Sequence, residues 1–219
     1  MKLIQTYCTK NGETYNCGFP SFQSLINFWN KALEMHLQNY EVIVYTDQQG
    51  YNKIKDLLLE GVNFIIIDYP YVDDRYYNIS KFQTYIYHAN TNPNSQFIHV
   101  DIDAILNDIV TDIVTDIVCE MVRPCEYGRY LRSYGLHKID IEYMYGVPCS
   151  GLLGFKNSDF AKQYAEKALL KITESDEEVI LFDALWAVEE ILLENELEDN
   201  NMSYSTFSDF THLQGRQKR

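Results

Sequence analysis

Apolar residues along this chain alternate in some stretches and recur at helical spacing in others. The two patterns take turns through the first hundred positions. Lys2–Tyr7 reads as a strand, and residues 8–20, with Asn11-Gly12, Gly18 and Pro20, read as a loop. Ser21 stands as an N-cap before Phe22, Leu25, Ile26, Trp29, Leu33 and Leu37, a helical stripe. Glu41–Thr46 is a second strand, Tyr51–Glu60 a helix closed by Gly61, and Val62–Ile67 a third strand. Ser80–Ala89 follows as a helix and Asn90–Ser95 as a turn. This alternation predicts one α/β domain with a mainly parallel central sheet flanked by helices.

The next segment, Phe97-Ile98-His99-Val100-Asp101-Ile102-Asp103, carries chemistry. Period two sends Ile98, Val100 and Ile102 to one face and His99, Asp101 and Asp103 to the other. Two carboxylates then stand together near the C-terminal end of a strand, where open α/β sheets bind ligands. Hard oxygen donors so placed suit Mn²⁺ or Mg²⁺.

Beyond Asp103 the unit Asp-Ile-Val-Thr repeats from Asp108 to Val118. Its period of four fits a helical stripe, although the last copy, running into Cys119-Glu120-Met121-Val122, also reads as a strand. Residues 68–79 form a Tyr-rich loop, suited either to stacking on a base or sugar or to ordinary packing. Residues 123–147 carry Arg123, Arg129, Arg132, His137 and Lys138, and read as an acceptor-lining or a solvated loop. Pro148–Asn157 is a glycine-bearing strand feeding a helix over Ser158–Ile172. A last helix is expected over Asp176–Glu196, buried through Leu181, Ala184, Leu185, Val188, Ile191 and Leu192. Glu178 and Glu189 share the edge of that stripe, with Asp183 and Glu190 on the far side.

Composition narrows the function classes. The chain has 219 residues and a formal net charge of −14, which argues against coating nucleic acid. An acidic protein that binds a phosphate-bearing ligand needs a local cation, and a metal ion supplies one. Five cysteines with no CxxC pair suggest neither a disulfide framework nor a zinc site. With no signal-peptide pattern and no run of 18 apolar residues, the cytoplasm is the expected compartment.

Asp101-Ile102-Asp103 resembles the DxD motif of GT-A glycosyltransferases, and His212-x-x-Gly215-x-x-Lys218 resembles the HxxGxxK tail of the glycogenin and lipopolysaccharide galactosyltransferase group. The order of elements along the whole chain fits as well. The resemblance implies a GT-A-like, Rossmann-like domain: residues 1–103 as the nucleotide-binding half, 104–219 as the acceptor half and metal tail. It implies a metal held by Asp101, Asp103 and His212, and a donor diphosphate contacted by Gly215 and Lys218. By the same resemblance Thr6 and Tyr7 hold the nucleotide base, Lys81 and Asp101 contact the donor, and Ser150-Gly151 lie near its sugar. Glu189 stands at the family's catalytic acidic position with Glu190 where Gln is usual, and Asp183 completes the candidate catalytic carboxylates. The Pro-Trp that often follows the family's tail is absent. The implied reaction is hexosyl transfer from a nucleotide-sugar, UDP-linked by expectation, to a glycan, lipid-linked or protein acceptor. The tail match favours retention, and the basic tail suits at most peripheral membrane contact.

Two other chemistries use parts of the same pattern. A haloacid-dehalogenase-type phosphatase takes the first Asp of an Asp-x-Asp as nucleophile, a role open to Asp101 with Asp103 beside it. His99, Asp101 and His212 could form a two-His-one-carboxylate iron site. A non-catalytic nucleotide-sugar binder is a third reading.

Overall fold

A computed structural model describes residues 1–9, 18–70, 78–120, 122–123, 147–148, 151–174, 193, 196–197 and 199–213. The strands are β1 (Lys2–Tyr7), β2 (Glu41–Thr46), β3 (Asn63–Ile66), β4 (Phe97–Val100), β5 (Ala104–Leu106), β6 (Ile117–Cys119), β7 (Val122–Arg123), β8 (Val147–Pro148), β9 (Leu152–Phe155), β10 (Tyr204–Thr206) and β11 (Phe210–His212). The helices are α1 (Phe22–Asn39), α2 (Gln48–Ile54), α3 (Asn78–Thr91) and α4 (Ser158–Glu174).

A seven-stranded sheet in the order β10-β6-β9-β4-β1-β2-β3 forms the centre. Strands β3, β2, β1 and β4 run parallel, β9 runs antiparallel to both β4 and β6, and β10 is parallel to β6. The sheet is therefore mainly parallel, as expected, with strands from both halves of the chain. Its alternation is apolar on both faces, because each face carries helices. Leu3, Val42, Val44, Ile98 and Leu152 pack with Leu25, Ile26, Trp29 and Leu33 of α1. Ile4, Ile43, Tyr45, Phe97 and Phe155 pack with Phe82 and Tyr85 of α3 and with Ala161, Tyr164 and Ala165 of α4. Ser21 caps α1 as expected, its hydroxyl accepting from the Ser24 N–H at 3.1 Å.

Three expectations need correction. The second helix runs Gln48–Ile54, starting and ending earlier than the apolar spacing suggested. Asp47 starts it: the carboxylate accepts from Gly50 N–H at 3.0 Å while Thr9 N–H and Oγ1, two residues beyond β1, donate to it. The Asp-Ile-Val-Thr repeat forms no helix; residues 107–116 are irregular and the last copy is β6. Asp101 and Asp103 lie in a turn after β4, not within a longer strand, with Ala104 N–H donating to the Asp101 carbonyl at 2.9 Å.

The repeat has a structural use. Asp108 accepts from Ser208 N–H at 2.6 Å, Ser208 Oγ at 2.7 Å and Asp209 N–H at 3.0 Å. Asp116 accepts from Ser203 N–H at 2.8 Å and Ser203 Oγ at 2.7 Å, and Asp112 accepts from Gln96 Nε2 at 2.7 Å. Asp side chains engaged with backbone donors compete with helix formation. Partial burial pushes the Asp108 carboxyl up, but the hydroxyl and N–H groups of Ser208 and Asp209 outweigh it and hold it below its usual value. The Ser203 N–H and hydroxyl do the same for Asp116. Two of the four-residue units thus clamp the segment that carries β10 and β11. Asp108→Ala is expected to cost about 1 kcal/mol, since these bonds are solvent-exposed, lowering Tm by about 2–4 °C. Thermal unfolding checks this; an unchanged Tm in the Asp108→Ala, Asp116→Ala double variant would remove the clamp.

Candidate metal and donor site

Register brings the site together. β11 pairs antiparallel with β5, setting His212 opposite Ala104, next to Asp103 in the chain. Leu213 N–H then donates to the Asp103 carbonyl at 3.2 Å. From the other side, Asp101 N–H donates to the Gly151 carbonyl at 2.9 Å, extending the β4–β9 ladder by one residue. Ligand atoms of Asp101, Asp103 and His212 all lie within 4.8 Å of one another, and His212 Nε2 is 3.6 Å from Asp103 Oδ1. Donors to a cation at about 2.1 Å stand about 3 to 4 Å apart, so this spacing fits one divalent ion. Two carboxylates and one imidazole suit Mn²⁺ well and Mg²⁺ acceptably.

Burial grades the three donors. The Asp103 and His212 side chains are 11 % and 13 % exposed, and Asp101 is 31 % exposed. Asp101 therefore forms the open side of the cluster. Lys81, buried on α3, holds its ammonium 3.2 Å from Asp101 Oδ1. It sets a positive charge at the rim, where an anionic ligand would also meet it.

His99 stands behind this rim. Its Nδ1 is 3.7 Å from Asp101 Oδ1, yet the pair is not an ion pair. Complete burial, and then the Lys81 charge, hold the imidazole well below its usual pKa, so the ring is neutral. Its Nε2 is 3.4 Å from Thr6 Oγ1, which donates to Thr84 Oγ1 at 3.1 Å. The metal-compatible cluster among the described residues contains Asp101, Asp103 and His212 and leaves His99 out. That set has one imidazole and two carboxylates, the inverse of the iron site considered from sequence.

Thr6 and Tyr7 end β1, beside β4. The Thr6 hydroxyl is engaged with Thr84, and the Tyr7 ring is buried against Trp29 at 5.8 Å between centroids. Gly151 sits against the His212 ring. Asp183, Glu189, Glu190, Ser150, Gly215 and Lys218 lie outside the described residues, as do Glu178, most of the Tyr-rich and basic loops and most of the expected last helix.

Sequence reasoning missed Glu120. Its carboxylate is 1 % exposed, and Oε2 lies 2.8 Å from His212 Nδ1, within hydrogen-bond distance. No spacing motif includes it. Its only signal is a charged residue directly after the apolar run Ile117-Val118-Cys119.

No family model matches the chain, and no curated protein matches it by sequence. Solved structures do match. Mouse xyloside xylosyltransferase 1 in its apo form aligns with a TM-score of 0.50 at 12 % identity, over 90 % of this chain and 82 % of that one. The glycosyltransferase GlyE of Streptococcus pneumoniae TIGR4 aligns with a TM-score of 0.51 at 13 % identity, over 95 % of this chain and 46 % of GlyE. The inositol-1-phosphate CTP transferase of T. maritima aligns with a TM-score of 0.54 at 12 % identity, over 100 % and 91 %. The fold is GT-A-like. At these identities the likeness is one of fold, and the narrower resemblance to the glycogenin group rests on the motif residues alone. Among the described residues, no helix is long and apolar enough to cross a membrane.

Proposed function

We propose that this chain is a metal-dependent glycosyltransferase that moves a sugar from a nucleotide-sugar to an acceptor hydroxyl. One observation carries the reading. Asp101 and Asp103, and His212 more than a hundred residues further on, converge at the C-terminal end of β4 in a GT-A-like fold. That is the edge of an open α/β sheet where ligands bind. The phosphatase reading uses the two aspartates but gives His212 no part.

A divalent ion held by these three side chains would supply Lewis-acid neutralisation of the diphosphate leaving group. The protein's own groups supply the rest. Lys81 brings an ammonium to the rim, and Gly215 and Lys218 of the tail approach the diphosphate. Thr6 and Tyr7 flank the nucleotide at the end of β1, and Ser150 and Gly151 border the sugar. Glu189, with Glu190 and Asp183 close to it in the sequence, is the proposed carboxylate that steadies positive charge on the sugar or takes the acceptor proton. The donor is expected to be a UDP-hexose and the outcome retention.

A thermal-shift panel of nucleotide-sugars, with and without Mn²⁺, tests this reading. Ligand that binds only the folded state adds about 2.7 kcal/mol at a hundredfold excess over Kd. A UDP-sugar that raises Tm only with Mn²⁺ is the expected result. Stabilisation by CTP with a sugar phosphate, and by no nucleotide-sugar, would replace glycosyl transfer with nucleotidyl transfer.

A further inference from the structure

We propose that Glu120 is a positioning residue for His212: its buried carboxylate fixes the Nδ1–H form of the imidazole and turns Nε2 toward Asp103 and Asp101. The inference rests on the metal reading above and assigns a role to a residue outside the ligand set.

The two ring nitrogens face opposite carboxylates. Nδ1 is 2.8 Å from Glu120 Oε2, while Nε2 is 3.6 Å from Asp103 Oδ1. Once Nε2 holds the ion, the one N–H of the imidazole is on Nδ1, and in that state the ring donates to Glu120 Oε2. Nε2 is then the ring nitrogen left for an ion, on the side that meets Asp103. A carboxylate that receives the far N–H of a metal-binding histidine orients the ring and raises its basicity.

Packing supports the same assignment. Glu120 directly follows β6, whose Cys119 pairs with Leu153 of β9, so its side chain meets the start of β9. There Gly151 leaves the room that the pair occupies. A Cβ on Gly151 would lie 2.5 Å from His212 Cε1, 2.6 Å from His212 Nδ1 and 2.6 Å from Glu120 Oε2. No side chain fits at that position while His212 and Glu120 stay paired. The same residue's carbonyl anchors the Asp101 N–H. One glycine thus serves two sides of the site: its carbonyl holds Asp101, and its missing side chain admits the His212–Glu120 pair.

Charge gives the pair a direction. In a chain of net charge −14, a third carboxylate is buried beside Asp101 and Asp103. Such a cluster favours a cation in its midst, and Glu120 adds to that field through the imidazole rather than by touching the ion.

The test uses Mn²⁺ alone, titrated calorimetrically into the full chain and its variants. Glu120→Gln is expected to weaken binding by about tenfold and Glu120→Ala by up to about a hundredfold. Gly151→Ala should weaken it too, by displacing the ring. Wild-type protein loaded with Co²⁺ should show one hyperfine-shifted, slowly exchanging imidazole N–H by NMR, absent in Glu120→Ala. The wild-type signal by itself tests the role without relying on how any variant folds. Failure of wild-type protein to bind Mn²⁺ sinks the metal reading and this proposal together. Wild-type binding that persists undiminished in both Glu120 variants, or a Co²⁺ form without the shifted N–H, overturns the Glu120 role alone.

Discussion

Asp103→Asn is expected to lower metal-dependent turnover by about a thousandfold and to abolish the rise in Tm that Mn²⁺ produces. Metal-assisted charge neutralisation contributes several kcal/mol to such a reaction, and about 4 kcal/mol corresponds to a thousandfold in rate. Asp103 is the more enclosed of the two aspartates, and its main-chain carbonyl, not its carboxylate, receives Leu213 N–H. The backbone anchor of β11 therefore survives the change. Without metal, removing one of three neighbouring carboxylates relieves like-charge repulsion, so stability of the metal-free variant should hold or rise. That pairing of signs separates a ligand from a structural residue. Loss of turnover accompanied by a lower metal-free Tm would make Asp103 structural, and retained Mn²⁺ dependence would remove it from the ligand set.

The parts of the fold legible in the sequence were those set by local rules. β1 and β2 fall at the expected residues because alternation and flanking polar positions act over a few neighbours. Ser21 caps α1 because a hydroxyl directly precedes a clean apolar stripe. The helix after β2 starts earlier than its apolar spacing indicates because Asp47, its cap, is selected from afar: Thr9, just beyond β1, reaches across to the same carboxylate. The Asp-Ile-Val-Thr repeat misled for a similar reason. Its period of four matches a helix, but its carboxylates find partners some ninety to a hundred residues on, at Ser203 and Ser208. Period alone does not weigh a local helix against distant hydrogen bonds.

The site divides along the same line. Asp101 and Asp103 were visible because they follow an apolar run, and His212 because the tail resembles a known motif. Their meeting depends on the β5–β11 register, which no single segment encodes. Glu120 had no motif at all. A buried carboxylate becomes informative only once a partner is seen beside it, and its partner lies 92 residues away.

Acidification is expected to destabilise the protein steeply between pH 6.5 and pH 4, before most carboxylates titrate. Two buried histidines away from the site drive this. Burial lowers the His36 pKa to about 4, and burial with a smaller contribution from Lys2 lowers that of His88 to about 4. Both rings are neutral in the fold for a reason visible in their contacts. His36 Nε2 accepts from the Leu106 N–H at 3.0 Å, and His88 Nδ1 shares a hydrogen bond of 2.7 Å with the Tyr45 hydroxyl. The remaining ring nitrogens, His36 Nδ1 and His88 Nε2, are buried without a partner among the described residues, so neither ring has a ready counter-charge there for a second proton. The unfolded chain takes up these protons near pH 6.5, whereas the folded chain resists until about pH 4. Across that window the unfolded state binds more protons, so stability falls as pH falls. A depression of this size is worth roughly 3 kcal/mol for each ring, a large share of the 5–15 kcal/mol typical of a domain. Urea unfolding at pH 7.5, 6, 5 and 4 should show the midpoint dropping through the window. His36→Gln, which keeps an acceptor for Leu106, should remove about half of the slope. A midpoint that stays level from pH 7 to pH 5 would mean that these histidines are charged in the folded protein.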